Sequence, residues 1–174
     1  MALINTTTTG NYGTAYAGDS SGDLTIQKDG TTINKITSAP CFSAYQSTVQ
    51  SIASGVWTKI QLQSKYFDTA GAFDATTNYR FQPTVPGYYQ LNCVVQLQFF
   101  ASLAASIYKN GNGTDYAVGV GQASIIYTTV PQSKLVYLNG STDYVELYAY
   151  QASGSAVSTM AIDCAFSGSL ARSL

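Results

Sequence analysis

The clearest pattern in the chain is an alternation of apolar and polar positions that begins just after a proline-glycine pair. A period of two predicts a β-strand with one buried face and one face in contact with water. Pro86 fixes φ and Gly87 can adopt positive φ, so the chain can turn sharply into this strand. The apolar positions are Tyr89, Leu91, Cys93, Val95, Leu97 and Phe99, and the polar positions are Gln90, Asn92, Gln96 and Gln98.

From Ala39 onward the chain reads as short strands separated by turns. The segments Asn110-Gly111-Asn112-Gly113 and "NGST" at 139–142 are turn signals between strand candidates. In "TKIQLQSKYF", residues Ile60, Leu62 and Tyr66 are predicted to share one face, although Ser64 interrupts it. Many short strands with a turn about every ten residues indicate a sandwich or a barrel. We therefore predict an all-β fold.

Two segments also fit a helical period. In "FSAYQSTVQSIA" (42–53) and "LQFFASLAASIY" (97–108), apolar residues recur at spacings of three and four. Their β-branched and aromatic residues, and the lack of an N-cap followed by a charged first turn, favour strands instead. We interpret both as strands.

Residues 1–38 differ in composition from residues 39–174. The first part is rich in Thr, Gly and Asn and has too little apolar material for a core, so we predict an extended arm. Asp29-Gly30 then indicates a β-hairpin, which is only marginally stable alone. It must contact the main domain, a neighbouring subunit or another protein. The predicted partner-binding residues of this hairpin are Leu24, Ile26, Ile33 and Ile36.

Charged residues make up 10% of the chain and apolar residues 45%. A neutral polar surface is cheaper to desolvate than a charged one, which favours extensive interfaces. The alternative is a monomer with an uncharged surface. Lys and Arg together number 8 and are scattered, so we expect no nucleic-acid partner.

The sequence offers little for catalysis or metal binding. It has no histidine, which removes the commonest general base and metal ligand, and Cys41, Cys93 and Cys164 form no CxxC pair. Asp68 and Asp74 lie beside turn residues, where Asp is common. We expect no enzymatic activity, no catalytic residue, no cofactor and no metal site. With neither a signal peptide nor an apolar run long enough for a membrane span, we also expect synthesis in a cytoplasm and no membrane partner.

A set of spaced segments resembles the globular head of complement component 1q, within the tumour necrosis factor superfamily. The segments are "CFSAY", "YFDTAGAFDATTNYRFQPTVPGYYQLNCVVQL", "SIYKNGN", "VYLNGSTDYVELYAY" and "CAFSGSL", between residues 39 and 174. The resemblance implies a ten-stranded jelly-roll sandwich that forms a homotrimer about an apolar axis. The preceding segment, "SSGDLTIQKDGTTINKITSAP", resembles leader segments of bacteriophage virion proteins that carry such heads.

The resemblance implies a structural role in a virion. We expect a homotrimeric capsid decoration (cement) protein whose arm and hairpin bind the major capsid protein or another virion protein. The tyrosines proposed for the trimer interface are Tyr137, Tyr144, Tyr148 and Tyr150; ordinary strand packing explains each of them at least as well.

Two other functions stay open. One is a receptor-binding head of a tail fibre or spike that recognises host surface carbohydrate. The other is a free-standing cellular lectin or signalling-type trimer.

Overall fold

The computed structural model describes residues 14–18, 24–28, 31–36, 39–98, 102–113, 119–121 and 127–173. These residues contain sixteen β-strands and no helix. The chain divides into two compact units, Met1–Ala39 and Pro40–Leu174.

The first unit contains a three-stranded antiparallel sheet. Its strands are β1 (Thr14–Gly18), β2 (Leu24–Lys28) and β3 (Thr31–Ile36), in that spatial order. Leu24 lies opposite Ile36, and the register of β2 and β3 shifts between Ile26 and Gln27. The segment predicted to be an extended arm therefore contributes a strand, β1.

The second unit begins with a five-stranded antiparallel sheet. In spatial order its strands are β13 (Tyr127–Leu138), β10 (Gly87–Gln98), β16 (Ala165–Ser173), β4 (Cys41–Tyr45) and β7 (Ser64–Asp68). The long strands β10 and β13 pair over their full length, from Gly87 opposite Leu138 to Gln98 opposite Tyr127.

A six-stranded sheet forms the second layer. Its strands are β12 (Gly119–Gly121), β11 (Leu103–Lys109), β14 (Val145–Gln151), β9 (Arg80–Phe81) and β8 (Phe73–Asp74), with β6 (Thr58–Lys59) also paired to β14. A two-stranded sheet joins β5 (Ser51–Ile52) to β15 (Val157–Ser158).

Aromatic rings join the two layers in the core. The ring of Phe42 on β4 lies 4.2 Å from that of Phe81 on β9 and 5.2 Å from that of Phe73 on β8. Phe81 also meets the edge of Tyr89 on β10, at 5.5 Å. Full burial of each such side chain contributes roughly 1.5–3 kcal/mol.

The alternation predicted for β10 is confirmed. Tyr89, Leu91, Cys93, Val95 and Leu97 are all buried, while the residues between them point away from the core. Phe99 lies outside the described residues. The buried phenol of Tyr89 donates a hydrogen bond to the carbonyl oxygen of Val85 (2.8 Å), which anchors the turn that precedes the strand.

The two segments with a helical period contain strands, as interpreted from their residue types. Phe42 and Ala44 are buried on β4, and Leu103, Ala105 and Ile107 are buried on β11. The prediction for Tyr66 is wrong: Ile60 and Leu62 are buried, but Tyr66 is exposed. The register of β4 and β7 shifts between Ser43 and Ala44, so the alternation does not continue from Leu62 to Tyr66.

The turn at Gly140 brings two loops into close contact. Gly140 has φ of 70°, and a Cβ placed there would lie 2.5 Å from the backbone nitrogen of Pro86. Gly154 also has positive φ, at 88°, but has no atom within 4 Å of that position. Substituting each glycine in turn therefore separates the cost of backbone strain from the cost of steric crowding.

We predict that Gly140→Ala destabilises the protein by about 2–5 kcal/mol, because backbone strain of about 1–3 kcal/mol is added to a clash with rigid backbone. The matched control, Gly154→Ala, carries the strain alone and should cost about 1–3 kcal/mol. Denaturant unfolding at one fixed protein concentration measures both values. Equal losses for the two variants would show that the contact with Pro86 contributes nothing.

Candidate functional site

The outer face of the five-stranded sheet is a broad surface with a single arginine, Arg172, at one corner. We define it by the outward-pointing residues of the four strands β13, β10, β16 and β4. They are Tyr127, Thr129, Pro131, Ser133, Leu135, Tyr137, Tyr88, Gln90, Asn92, Val94, Gln96, Gln98, Ala165, Ser167, Ser169, Cys41, Ser43 and Tyr45. None of these side chains is charged, and Arg172 lies beyond them at one corner, opposite Tyr88.

Large side chains lie toward the two edges of this face. On the β13 side, Leu135 is 53% exposed and the rings of Tyr88 and Tyr137 lie 5.5 Å apart. On the β7 side, Tyr66 is 66% exposed and stacks on Tyr45 at 4.4 Å. Exposed rings that pair with one another, beside an exposed leucine, are a feature of interaction sites.

The middle of the face is hollow because its side chains are small. A depression of about 210 Å³ is lined by Ser43, Asn92, Cys93, Val94, Ala165 and Ser167. The face therefore has raised aromatic or aliphatic edges and a concave centre.

The polar groups of this face are partly satisfied among themselves. Gln90 Nε2 donates to Ser133 Oγ (2.8 Å), and Ser133 Oγ donates to Asn92 Oδ1 (2.9 Å) across β10 and β13. Polar atoms that already have partners lose little when water is removed. A partner can therefore cover this face at a low desolvation cost.

The outer face of the six-stranded sheet carries a second aromatic group. Tyr108 stacks on Tyr148 with ring centroids 3.9 Å apart, and Trp57 lies 5.8 Å from Tyr108 and 5.5 Å from Tyr150. We call these four residues the tryptophan–tyrosine cluster. Burial raises the pKa of Tyr148 to about 12, so its hydroxyl stays protonated even in mildly alkaline solution.

The four tyrosines proposed for the trimer interface lie in different places. Tyr137 belongs to the outer face of the five-stranded sheet, while Tyr148 and Tyr150 belong to the tryptophan–tyrosine cluster on the other sheet. Tyr144 lies under the guanidinium of Arg80, whose Cζ is 4.3 Å from the ring centroid. The structure does not gather them on one face, and their role at an interface stays a prediction.

Leu135 is a surface residue that the sequence analysis missed. It lies two residues before Tyr137 on β13, and both side chains point outward. The signal was present in "YTTVPQSKLVYL", where an outward leucine interrupts a series of polar positions.

The ion pair between Lys109 and Asp143 contacts the backbone of Tyr137. Asp143 Oδ2 accepts hydrogen bonds from Lys109 Nζ (2.8 Å) and from the backbone N–H of Asn139 (3.1 Å). Lys109 Nζ also donates to the carbonyl oxygen of Tyr137 (2.9 Å). Partial burial acts to raise the pKa of Asp143, but the hydrogen bonds from Lys109, Asn110 and Asn139 outweigh it and the net pKa is lowered. The pair thus connects β11 with the end of β13.

The thiols are placed in unreactive surroundings. Cys93 and Cys164 are buried, and burial raises the pKa of Cys93 to about 12 and that of Cys164 to about 11. In the part of the chain that the structure describes, no three Asp, Glu, Cys or His side chains come together as a metal-binding group. Within the same residues, no helix is long and apolar enough to cross a membrane.

Comparison with known proteins identifies the fold. No protein-family model matches the sequence, and no curated protein matches it. The crystal structure of murine APRIL at pH 5.0 matches with a TM-score of 0.56 and 11% identity, over 76% of this chain and 98% of that chain. The structure of Eiger TNF from S. frugiperda matches with a TM-score of 0.56 and 7% identity, over 78% and 93%.

These likenesses show that the chain has a jelly-roll fold like that of tumour necrosis factor proteins. The predicted all-β jelly roll is confirmed. The count of ten strands and the three-chain assembly stay predictions.

We predict that Asp143→Asn lowers the free energy of unfolding by about 1.5–3 kcal/mol at pH 7, because hydrogen bonds to a charged group are lost. Folding lowers the pKa of Asp143, so its stabilising contribution exists above the unfolded pKa of about 4 and disappears as the pH falls through the folded pKa. The difference between wild type and variant should therefore shrink below about pH 4.

Unfolding curves of both proteins from pH 7 to pH 2 test this prediction. Asp163→Asn, which changes an exposed carboxylate, is the control. A difference that stays constant across the pH range would contradict the role of the ion pair.

Proposed function

We propose that this chain is a non-enzymatic structural protein of a phage virion. In this proposal it forms a homotrimeric decoration protein that binds the capsid through residues 1–38. The observation that carries the proposal is the almost uncharged outer face of the five-stranded sheet, with its exposed Leu135 and its hollow centre.

The shape of this face favours a ring of identical subunits. Its raised edge, with Tyr88, Leu135 and Tyr137, differs from the hollow lined by Ser43, Ala165 and Ser167. Two different surfaces that fit each other form a head-to-tail contact, which closes into a ring when the rotation permits. The resemblance to the globular head of complement component 1q implies that the ring contains three subunits.

The low charge of the chain supports the same assembly. Eighteen positions on the outer face carry neutral side chains, and the Gln90–Ser133–Asn92 hydrogen bonds already pair several polar atoms. Burying these eighteen positions desolvates no ion, and Arg172 at the corner can stay in contact with water.

The first unit supplies a means of attachment in this proposal. In its sheet, β1 and β3 are the edge strands, and an edge strand can pair with a strand of another protein. A trimer presents three copies of this unit on one body, and linked weak contacts gain strongly from effective concentration. Leu24, Ile26, Ile33 and Ile36 are the side chains proposed to contact the capsid.

A receptor-binding head is the second candidate, and the tryptophan–tyrosine cluster favours it. Trp57, Tyr108, Tyr148 and Tyr150 present adjoining rings on an outer sheet face. Aromatic rings with polar tips combine apolar contact with hydrogen bonding, which suits recognition of carbohydrate. Tight adsorption to purified host polysaccharide, without affinity for capsids, would favour this function over decoration.

We predict that Leu135→Lys disrupts the trimer, because it places a charge in a face that would otherwise be buried without one. Sedimentation velocity at micromolar concentration should show mainly single chains. Val56→Lys makes the same change at a valine that is 55% exposed outside this face, and it should leave the trimer intact. An unchanged trimer in Leu135→Lys would show that another surface forms the interface.

We also predict that a chain lacking residues 2–38 remains a folded trimer but no longer binds particles. The second unit, Pro40–Leu174, contains both sheets of the jelly roll and their core, so it keeps the contacts that stabilise the head. Co-sedimentation with undecorated capsids measures the loss, with full-length protein as the reference. Equally tight binding of the truncated chain would refute attachment through the first unit.

A further inference from the structure

A polar pocket of about 340 Å³ opens beside strands β8 and β9, away from the outer face of the five-stranded sheet. The residues that matter here are Asp74, Asn78, Arg80, Gln82, Thr84 and Ser141. Five of them lie between residues 74 and 84, and Ser141 comes from a distant turn. A volume near the lower end of the usual range for ligand sites holds one small polar molecule.

The guanidinium of Arg80 is fixed in this pocket by its neighbours. Arg80 Nη2 donates a hydrogen bond to Gln82 Oε1 (2.9 Å). Gln82 Nε2 in turn donates to the carbonyl oxygen of Ser141 (3.0 Å). The ring of Tyr144 supports the guanidinium from one side, at 4.3 Å. Arg80 is therefore held in place before any ligand arrives.

Arg80 has donors to spare. The ion pairs between described residues join Lys59 to Glu146, Lys65 to Asp68 and Lys109 to Asp143, and none of them includes Arg80. A guanidinium carries several N–H donors in a planar fork that matches a carboxylate. The hydrogen bond to Gln82 uses only one of these N–H donors.

The carboxylate of the pocket, in contrast, is already occupied. Asp74 Oδ1 accepts from the N–H and hydroxyl of Thr76 and from the N–H of Thr77, and Oδ2 accepts from the N–H and amide of Asn78. The backbone N–H groups of Thr77 and Thr76 hold the pKa of Asp74 well below its usual range. This carboxylate therefore stays ionised and is directed into its own turn. The amides of Gln82 and Asn78 also donate within the pocket, so the donors offered to a ligand are the guanidinium of Arg80 and the hydroxyls of Ser141 and Thr84.

We propose that this pocket binds a carboxylated sugar, the repeating unit of an acidic polysaccharide. The carboxylate takes the free side of the Arg80 fork, and the ring hydroxyls meet the hydroxyls of Ser141 and Thr84 and the side-chain oxygen of Asn78. A hydroxylated ring matches this rim better than a bare anion does. The inference goes beyond capsid decoration and does not depend on it.

The test uses the full-length chain with methyl glucuronide as the probe. Methyl glucoside has the same ring without the carboxylate, and inorganic phosphate has the charge without the ring. In ¹⁵N-labelled protein, the glucuronide should shift the backbone amides of residues 71–74, 82, 84 and 141, and it should bind at least about tenfold more tightly than either control. Equal binding of glucuronide and glucoside, tighter binding of phosphate, or shifts elsewhere would overturn the proposal.

A matched pair of variants separates the pocket from general charge. Arg80→Gln should weaken glucuronide binding at least about tenfold, whereas Arg172→Gln removes the same charge from the other sheet and should change it less than twofold. Arg80→Lys keeps the charge but loses the planar set of donors, so its affinity for the glucuronide should lie between those of the other two variants. Circular dichroism establishes that each variant is folded. If Arg80→Gln does not fold, the amide shifts of the wild-type protein decide the question alone.

Discussion

The contact between the inner faces of the two sheets is the interaction on which the rest of this structure depends. Phe42 connects the layers, since it stacks on Phe81 and Phe73 of the six-stranded sheet and meets Phe166 of its own sheet edge-on. The long strand β10 extends this contact with a series of alternating buried side chains. Because the period of a strand is two, burial of these residues forces the intervening glutamines and asparagine to the outside.

That constraint determines what the outer face can be. A soluble domain of ordinary composition would place many charges there, and this chain has few to place. Its outer face instead combines amides, hydroxyls, small residues and exposed rings. Two of the acidic groups are used locally: Asp143 with Lys109 connects two strands, and Asp74 closes its own turn.

The sequence predicted features that follow from local periodicity. The alternation of β10 could be read directly, because it depends on side chains adjacent in the chain. The strand β4 was predicted against a helical period, from its aromatic and β-branched neighbours. Tyr66 was placed on the wrong face: Ser64 interrupts the apolar pattern, but the register shift between β4 and β7 cannot be read from one segment. The Arg80 pocket could not be predicted from the sequence either. Tyr144 meets Arg80, and Ser141 meets Gln82, only after distant parts of the chain have come together. The tyrosines of β14 looked like those of β13, and only the topology assigns them to different sheets.

The central claim is that the outer face of the five-stranded sheet joins identical chains around an axis. A crystal structure of the full-length chain, grown from its solution oligomer, tests this most directly. The account predicts three chains related by a threefold axis, with Leu135 and Tyr137 of each chain buried against the next. A lone chain, or an axis lined by Trp57 and Tyr148 of the six-stranded sheet, would contradict it.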